Sequence, residues 1–241
     1  MKKILCLGLV ASICLLTGCT KNYKTVSEYE TAMQTVKKQH QNLTIEAKQS
    51  VGAIDLYYKT QTKGNKWKTQ ISMNNGGSYM STILFDGNDL LTYSQGSPYA
   101  VTNPVLDMMS DDDQETKEAA IRMQNPTSPL LNWQNGFGLL SMGTLSGNTE
   151  FVNNKDKKNG FDCRLIKIGE QEEACVSDKY GFAVYHKINS EKGDVIIDLV
   201  KVETTDIPES EFELPQGVSK MNIDQMLENM TRQIESVKKY Y

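Results

Sequence analysis

The chain has 241 residues, with 26 Lys and Arg against 30 Asp and Glu, a formal net charge of −4 and 39% hydrophobic residues. This acidic balance, with no concentrated basic face, excludes nucleic acid as a partner. The length supports one sizeable core, and neither composition nor spacing calls for two domains.

The first element is a leader. Met1-Lys2-Lys3 is a short basic start, Ile4 to Leu16 an almost unbroken apolar run, and Leu16-Thr17-Gly18-Cys19 a small-residue close. That order is the pattern of a secretory signal. Its apolar run of about 13 residues is short of the roughly 20 that a spanning helix needs. The ending resembles the lipobox of bacterial lipoproteins, which implies cleavage before Cys19 and a diacylglycerol (palmitate-bearing) modification of that cysteine. The expected organisation is therefore a lipoprotein signal peptide over 1–18, a lipid-anchored tether over 19–25 and a single domain over 26–241. The expected place is the cell envelope: the outer membrane facing the periplasm in a two-membrane host, or the outer face of the cell membrane otherwise. No polybasic cluster follows the anchor, so broad adhesion to anionic lipid is not expected.

Cleavage simplifies the cysteines. Cys6 and Cys14 leave with the signal and Cys19 carries lipid, so Cys163 and Cys175 remain as an even pair in an oxidising compartment. Gly169 lies midway between them, and a turn there sets the two opposite each other across a hairpin. A disulfide follows, worth about 2–3 kcal/mol by the chain-entropy argument. With no neighbouring His or third Cys, the pair is a poor metal site.

A helix is predicted from about 26 to 40. Thr25-Val26-Ser27-Glu28 has the form of a capping box, and Val26, Tyr29, Met33 and Val36 fall at helical spacing. From Leu43 the period changes to two. Strands are predicted over 43–51, 54–59, 67–73, 79–85 and 90–93, separated by Gly52, Gly64-Asn65, Asn74 to Gly77 and Asp86 to Asp89. The middle, 104–142, reads as short helices and loops rich in Met and Leu. Strands resume over 149–152, 162–168, 173–177, 183–188 and 195–204. A last helix is predicted over 222–239, with Ile223, Met226, Leu227, Met230, Ile234 and Val237 as its apolar stripe.

Chemical motifs are scarce. Asp111-Asp112-Asp113 has no calcium loop around it and reads as a solvated helix cap or loop, and Asp86-Gly87-Asn88-Asp89 lacks the acidic twelfth position of one and reads as a hairpin turn. His40 and His186 are the only histidines, and no nucleophile elbow or Cys–His pairing accompanies them. There is no phosphate-binding Gly loop. The chain reads as a non-enzyme with no cofactor and no metal.

Three segments together resemble the lipoprotein-carrier (LolA/LolB-like) superfamily. They are Tyr57-Tyr58-Lys59 through Lys66-Trp67-Lys68 to Ile83-Leu84-Phe85-Asp86-Gly87 and Leu91-Thr92-Tyr93; Ala174 to Val184 around Asp178-Lys179-Tyr180-Gly181; and Ile207-Pro208 with Phe212-Glu213-Leu214-Pro215-Gln216-Gly217. The resemblance implies an α+β fold: a curved antiparallel sheet, or half-open β-barrel, covered by helices, with an N-terminal and a C-terminal helix. It also implies an apolar cavity that receives acyl chains. The expected function is a membrane-anchored lipoprotein that binds a lipid, an acyl chain or a lipoprotein. The alternative is a non-catalytic envelope interaction or stress-sensing module with a filled core. Candidate lining residues are Trp133, Phe137, Leu139, Leu140, Met142, Leu56, Tyr58 and Ile71, the last three being equally credible as core.

Overall fold

The computed structural model describes residues 22–40, 42–73, 78–103, 120–121, 124–125, 127–131, 149–190 and 193–238. In chain order the elements are α1 (Val26–Lys38), β1 (Asn42–Val51), β2 (Ile54–Lys63), β3 (Lys66–Ser72), β4 (Ser81–Phe85), β5 (Leu90–Ser94), β6 (Tyr99–Thr102), α2 (Ser128–Leu131), β7 (Thr149–Lys158), β8 (Phe161–Ile168), β9 (Glu172–Val176), β10 (Ala183–Ile188), β11 (Val195–Glu203), a 3-10 turn (Glu209–Phe212), β12 (Ser219–Met221) and α3 (Ile223–Lys238). The strands form one open sheet of twelve in the order β12-β6-β5-β4-β3-β2-β1-β11-β10-β9-β8-β7.

This corrects the expected architecture in two ways. The sheet is mixed, because β12 pairs with β6 in parallel, Ser219 opposite Tyr99 and Met221 opposite Val101. The reason lies in the connection from β11. That strand ends at the end of the sheet where the β2–β3 turn lies, and residues 206–218 then cross the outer face toward the opposite end. There Ser219 donates its N–H to the Pro98 carbonyl at 2.9 Å. The chain thus re-enters beside β6 in β6's own direction. Secondly, helical cover over the sheet is limited. Helix α1 packs into the core through Val26, Tyr29 and Met33. Helix α3, where the C-terminal helix was expected, leaves Leu227 and Ile234 53% and 55% exposed, so it does not close the sheet.

Residues that alternate along each strand divide into two faces. The inner face carries Leu43, Ile45 and Ala47 of β1, Ile197 and Leu199 of β11, Ala174 of β9 and Ile166 and Ile168 of β8, packed with α1 and with Leu130 and Leu131 of α2. Trp67, Phe85 and Leu90 extend that face and receive Ala120 and Ile121. The outer face of β4 to β6 has its own cluster, in which Leu84, Leu91 and Ala100 are covered by Ile207 and Phe212.

Ion pairs hold the crossing strap in place. Lys63 meets Asp206 at 3.5 Å and Glu209 at 3.3 Å, Lys66 meets Glu209 at 2.8 Å, and Lys68 pairs with Glu211. The hydrogen bond from Lys66 holds Glu209 below its ordinary value of 4.5, and that from Lys68 does the same for Glu211. A carboxylate whose folded value is lowered adds stability above its unfolded value and loses it as pH falls through the folded one. The strap should therefore be fully held above about pH 5 and loosen progressively below the ordinary carboxylate value. Hydrogen exchange of residues 207–218 should rise on acidification before that of β8 and β9; equal rises in both would refute local control by these pairs.

The disulfide forms as expected. Cys163 of β8 and Cys175 of β9 are bonded, with Cα atoms 5.4 Å apart. They are diagonal rather than opposite, since Cys175 faces Leu165 in the register.

Candidate functional site

The end of the inner face near the β2–β3 turn is filled. Thr60 and Thr69, opposite each other on β2 and β3, share a hydrogen bond of 2.8 Å. Asn125 and Thr127 close over them: the Thr127 hydroxyl donates to Asn125 Oδ1 at 2.8 Å and lies 3.3 Å from Thr60 Oγ1. The Thr127 N–H donates to the same Asn125 oxygen at 3.0 Å. All four residues are at most 6% exposed, so hydrogen bonds offset the desolvation of this polar knot. Leu130 and Leu131 pack next to it, and the Lys37 ammonium donates to the Leu131 carbonyl.

Among the described residues, the filling stops toward the other end of the same strands. Tyr58 on β2 faces Ile71 on β3, and Leu56 lies two residues further along β2 on the same face. Val51 is paired with Ile54 across the β1–β2 hairpin and with Val195 on its other side. Met73 is the next residue in the alternation after Ile71. Exposure grows steadily along this strip: Thr60 is 0% exposed, Tyr58 6%, Val51 41%, Met73 52% and Ile54 54%, with Leu56 and Ile71 half-buried. The strip spans about 13 Å along the strands and about 14 Å across four of them. Its polar members are Gln49, which accepts the Tyr58 hydroxyl hydrogen bond at 2.6 Å, and Ser81 at the β4 end. Burial pushes the Tyr58 hydroxyl up to about 12, so the phenol stays protonated across the physiological range.

Leu56, Tyr58 and Ile71 are thus neighbours on one face of the sheet. Trp133, Phe137, Leu139, Leu140 and Met142 lie outside the described residues, as do Cys19, the leader and Asp111 to Asp113. Val51, Ile54, Met73 and Gln49 were missed. Alternation and a register counted outward from the Gly52 turn would have placed them on the same face.

A second cluster lies beside α1. Arg164 on β8 makes a forked ion pair with Asp178, Nη2 to Oδ2 at 2.8 Å and Nε to Oδ1 at 2.9 Å. The Tyr29 hydroxyl donates to the same carboxylate at 2.7 Å and lies 3.0 Å from the Val176 carbonyl. The Tyr23 and Tyr29 rings flank the guanidinium with centroids 5.2 and 5.3 Å away. Burial, then the Asp178 charge, pushes the Tyr29 hydroxyl far above its ordinary value. The cluster fastens α1 to the sheet.

The histidines occupy unrelated settings. His186 is fully buried and lies 3.1 Å from Glu172, whereas His40 sits against the Tyr180 ring with centroids 5.8 Å apart. Asp86 caps its own turn by accepting the N–H groups of Asn88 and Asp89 at 2.9 Å, and Lys220 pairs with both Asp86 and Asp89. Among the described residues, no group of three His, Cys, Asp or Glu is arranged to hold a metal, and no helix is long and apolar enough to cross a membrane.

No protein-family model matches the chain, and no curated protein matches its sequence. Solved structures do resemble it. An uncharacterized conserved protein from Thermus thermophilus is 8% identical with a TM-score of 0.53, over 82% of this chain and 98% of that one. MucB is 10% identical with a TM-score of 0.46, over 79% of this chain and 63% of MucB. The complex of Pseudomonas aeruginosa MucA and MucB also matches, at 10% identity with a TM-score of 0.38, over 79% of this chain and 62% of that one. At these identities the likeness to the Thermus protein is one of fold alone.

Proposed function

We propose that this protein is a non-catalytic, lipid-anchored component of the cell envelope that binds an apolar ligand on the strip formed by Val51, Ile54, Leu56, Tyr58, Ile71 and Met73. The ligand is a lipid, an acyl chain or an acylated protein. One observation carries the reading: apart from Gln49 and Ser81, cross-strand neighbours on the inner face stay apolar while exposure rises to more than half at Ile54 and Met73. A soluble sheet that leaves such a strip uncovered has apolar area to gain on contact, about 0.8 kcal/mol for each methylene that leaves water. The lipobox-like Leu16-Thr17-Gly18-Cys19 supports the anchor and the envelope location.

A second reading is an envelope interaction module with a filled core. The knot of Thr60, Thr69, Asn125 and Thr127 favours it, because polar groups satisfied by one another leave no room for an acyl chain at that end.

Native mass spectrometry of the chain, released gently from host membranes, separates the two. A bound mass of several hundred daltons that is lost on denaturation supports ligand binding, and Leu56→Glu should lower its occupancy about tenfold by placing a charge against the chain. A clean apo mass, with added phospholipid and fatty acid also failing to bind, leaves the interaction module.

A further inference from the structure

The apolar strip contains one polar pair whose bonding is incomplete. Gln49 lies on the inner face because it is opposite Leu56 on β2 and Ile197 on β11, two residues from the buried Ala47. Its Oε1 is taken by the Tyr58 hydroxyl at 2.6 Å. Its amide N–H₂ group, two donors, has no hydrogen-bond partner among the described residues, and the side chain is half-buried on the open half of the strip. The Tyr58 oxygen, having donated its hydrogen, can still accept.

Among the described residues, charge is absent there. No Lys, Arg, Asp or Glu occupies the inner face of β1 to β4, where the alternating positions are Leu43 to Val51, Ile54 to Thr62, Trp67 to Ile71 and Ser81 to Phe85. The neighbouring charges turn outward: Lys48 and Asp55 pair with each other at 2.8 Å on the opposite face. Besides the Tyr58 phenol, the inner face carries His186 and Glu172 beyond β11, buried against each other on β10 and β9. A free carboxylate or a phosphate on this strip would lose water with no cation among the described residues to receive it, a heavy cost. A neutral carbonyl would find amide donors already in place.

We propose that the strip selects an acyl chain carried on an uncharged ester or amide, with the Gln49 side-chain amide donating to the ligand's carbonyl oxygen and Tyr58 fixing the orientation of that amide. This rests on the reading of the strip as an apolar-ligand site and names the ligand's chemical class. No bond is made or broken. The chain lies along Leu56, Ile71 and Met73, and the carbonyl sits at the Gln49–Tyr58 end, where the strip meets the filled half of the face.

The test uses the full chain in phosphatidylcholine nanodiscs at pH 8 with three photo-crosslinking probes of one chain length, each with a diazirine in the chain: a hexadecanoate methyl ester, the free hexadecanoate and the plain hydrocarbon. The ester is expected to label peptides from β1 to β3 about tenfold more than the carboxylate. Gln49→Leu should cut the ester's labelling about fivefold without lowering that of the hydrocarbon, and Tyr58→Phe, which frees the amide to rotate, should cut the ester's labelling less. Retention of the Cys163–Cys175 disulfide and an unchanged melting temperature show that each variant folds. Equal labelling by ester and carboxylate, or an ester signal indifferent to Gln49→Leu, overturns the ester and amide preference while leaving apolar binding intact. Failure of all three probes to label the strip, while they label the surrounding lipid, overturns the binding reading as well.

Discussion

Gly181→Ala is expected to destabilise the protein by about 3 kcal/mol or more and to release α1 from the sheet. A Cβ at that position would lie 2.3 Å from the Met33 carbonyl oxygen and 2.6 Å from the Lys37 nitrogen, both of them helix backbone that cannot swing aside. The φ of +73° adds strain of its own for any residue with a side chain. The glycine is needed because the turn that follows β9 brings its backbone directly against α1: the Gly181 N–H donates to the Ser177 carbonyl at 2.9 Å, folding residues 177–181 tightly beneath the helix. Denaturant unfolding followed by circular dichroism measures the loss, and limited proteolysis should cut within 22–40 before it cuts the sheet. A variant as stable as the parent, with α1 still protected, would show that the helix does not seat on this turn as described.

Removing either partner of the Arg164–Asp178 pair should give unequal losses. The Arg164 side chain is 6% exposed and that of Asp178 is 44% exposed. Asp178→Ala leaves a buried guanidinium without its carboxylate and the Tyr29 hydroxyl without one of its acceptors, so a cost of about 3–5 kcal/mol is expected. Arg164→Met leaves a carboxylate that reaches water and still accepts from Tyr29, so about 1–2 kcal/mol is expected, mostly lost packing against the Tyr23 and Tyr29 rings. Thermal unfolding of both variants with the disulfide intact reads the difference. Equal losses, or the reverse order, would mean that the burial of the guanidinium is not what gives the pair its weight.

The parts of the fold that were legible in the sequence are those that local rules specify. The N-terminal helix starts at its cap because Thr25 Oγ1 accepts the Glu28 N–H at 3.2 Å, which the Thr-x-x-Glu pattern forecast. Strands β1 to β5 and β8 to β11 follow the period-two alternation between Gly and Asn turns. The Cys163–Cys175 bond follows from two cysteines flanking one tight turn. Strand β7 runs to Lys158, well beyond the alternation, which was read as ending at Val152. It is an edge strand that is exposed along most of its length and carries two register shifts, so it has little apolar pattern to show.

Strands β6 and β12 were not legible, and neither was the mixed character of the sheet. Both strands are short, and β12 has no alternation of its own; it exists because the strap delivers it to the free edge of β6. Helix α3 was visible in its apolar stripe, but a stripe records only that a face is apolar and not that anything covers it. The candidate strip divides in the same way. The residue types at 49 to 58 and 71 to 73 are in the sequence, and alternation sets them on one face. Only the pairing of β1 with both β2 and β11 brings Val195, Val51, Ile54 and Leu56 into a single surface, and among the described residues it is Asn125, Thr127 and Leu130 that fill one part of that face.

The sequence by itself determined the elements whose signals lie within a few residues: the capped first helix, the alternating strands, the glycine turns and the cysteine pair. The tertiary structure decided the strand order, the parallel edge, the exposure of Leu227 and Ile234 on the last helix and, among the described residues, which part of the inner face is filled. These depend on contacts between residues far apart in the chain, where burial and register are set by packing rather than by local preference.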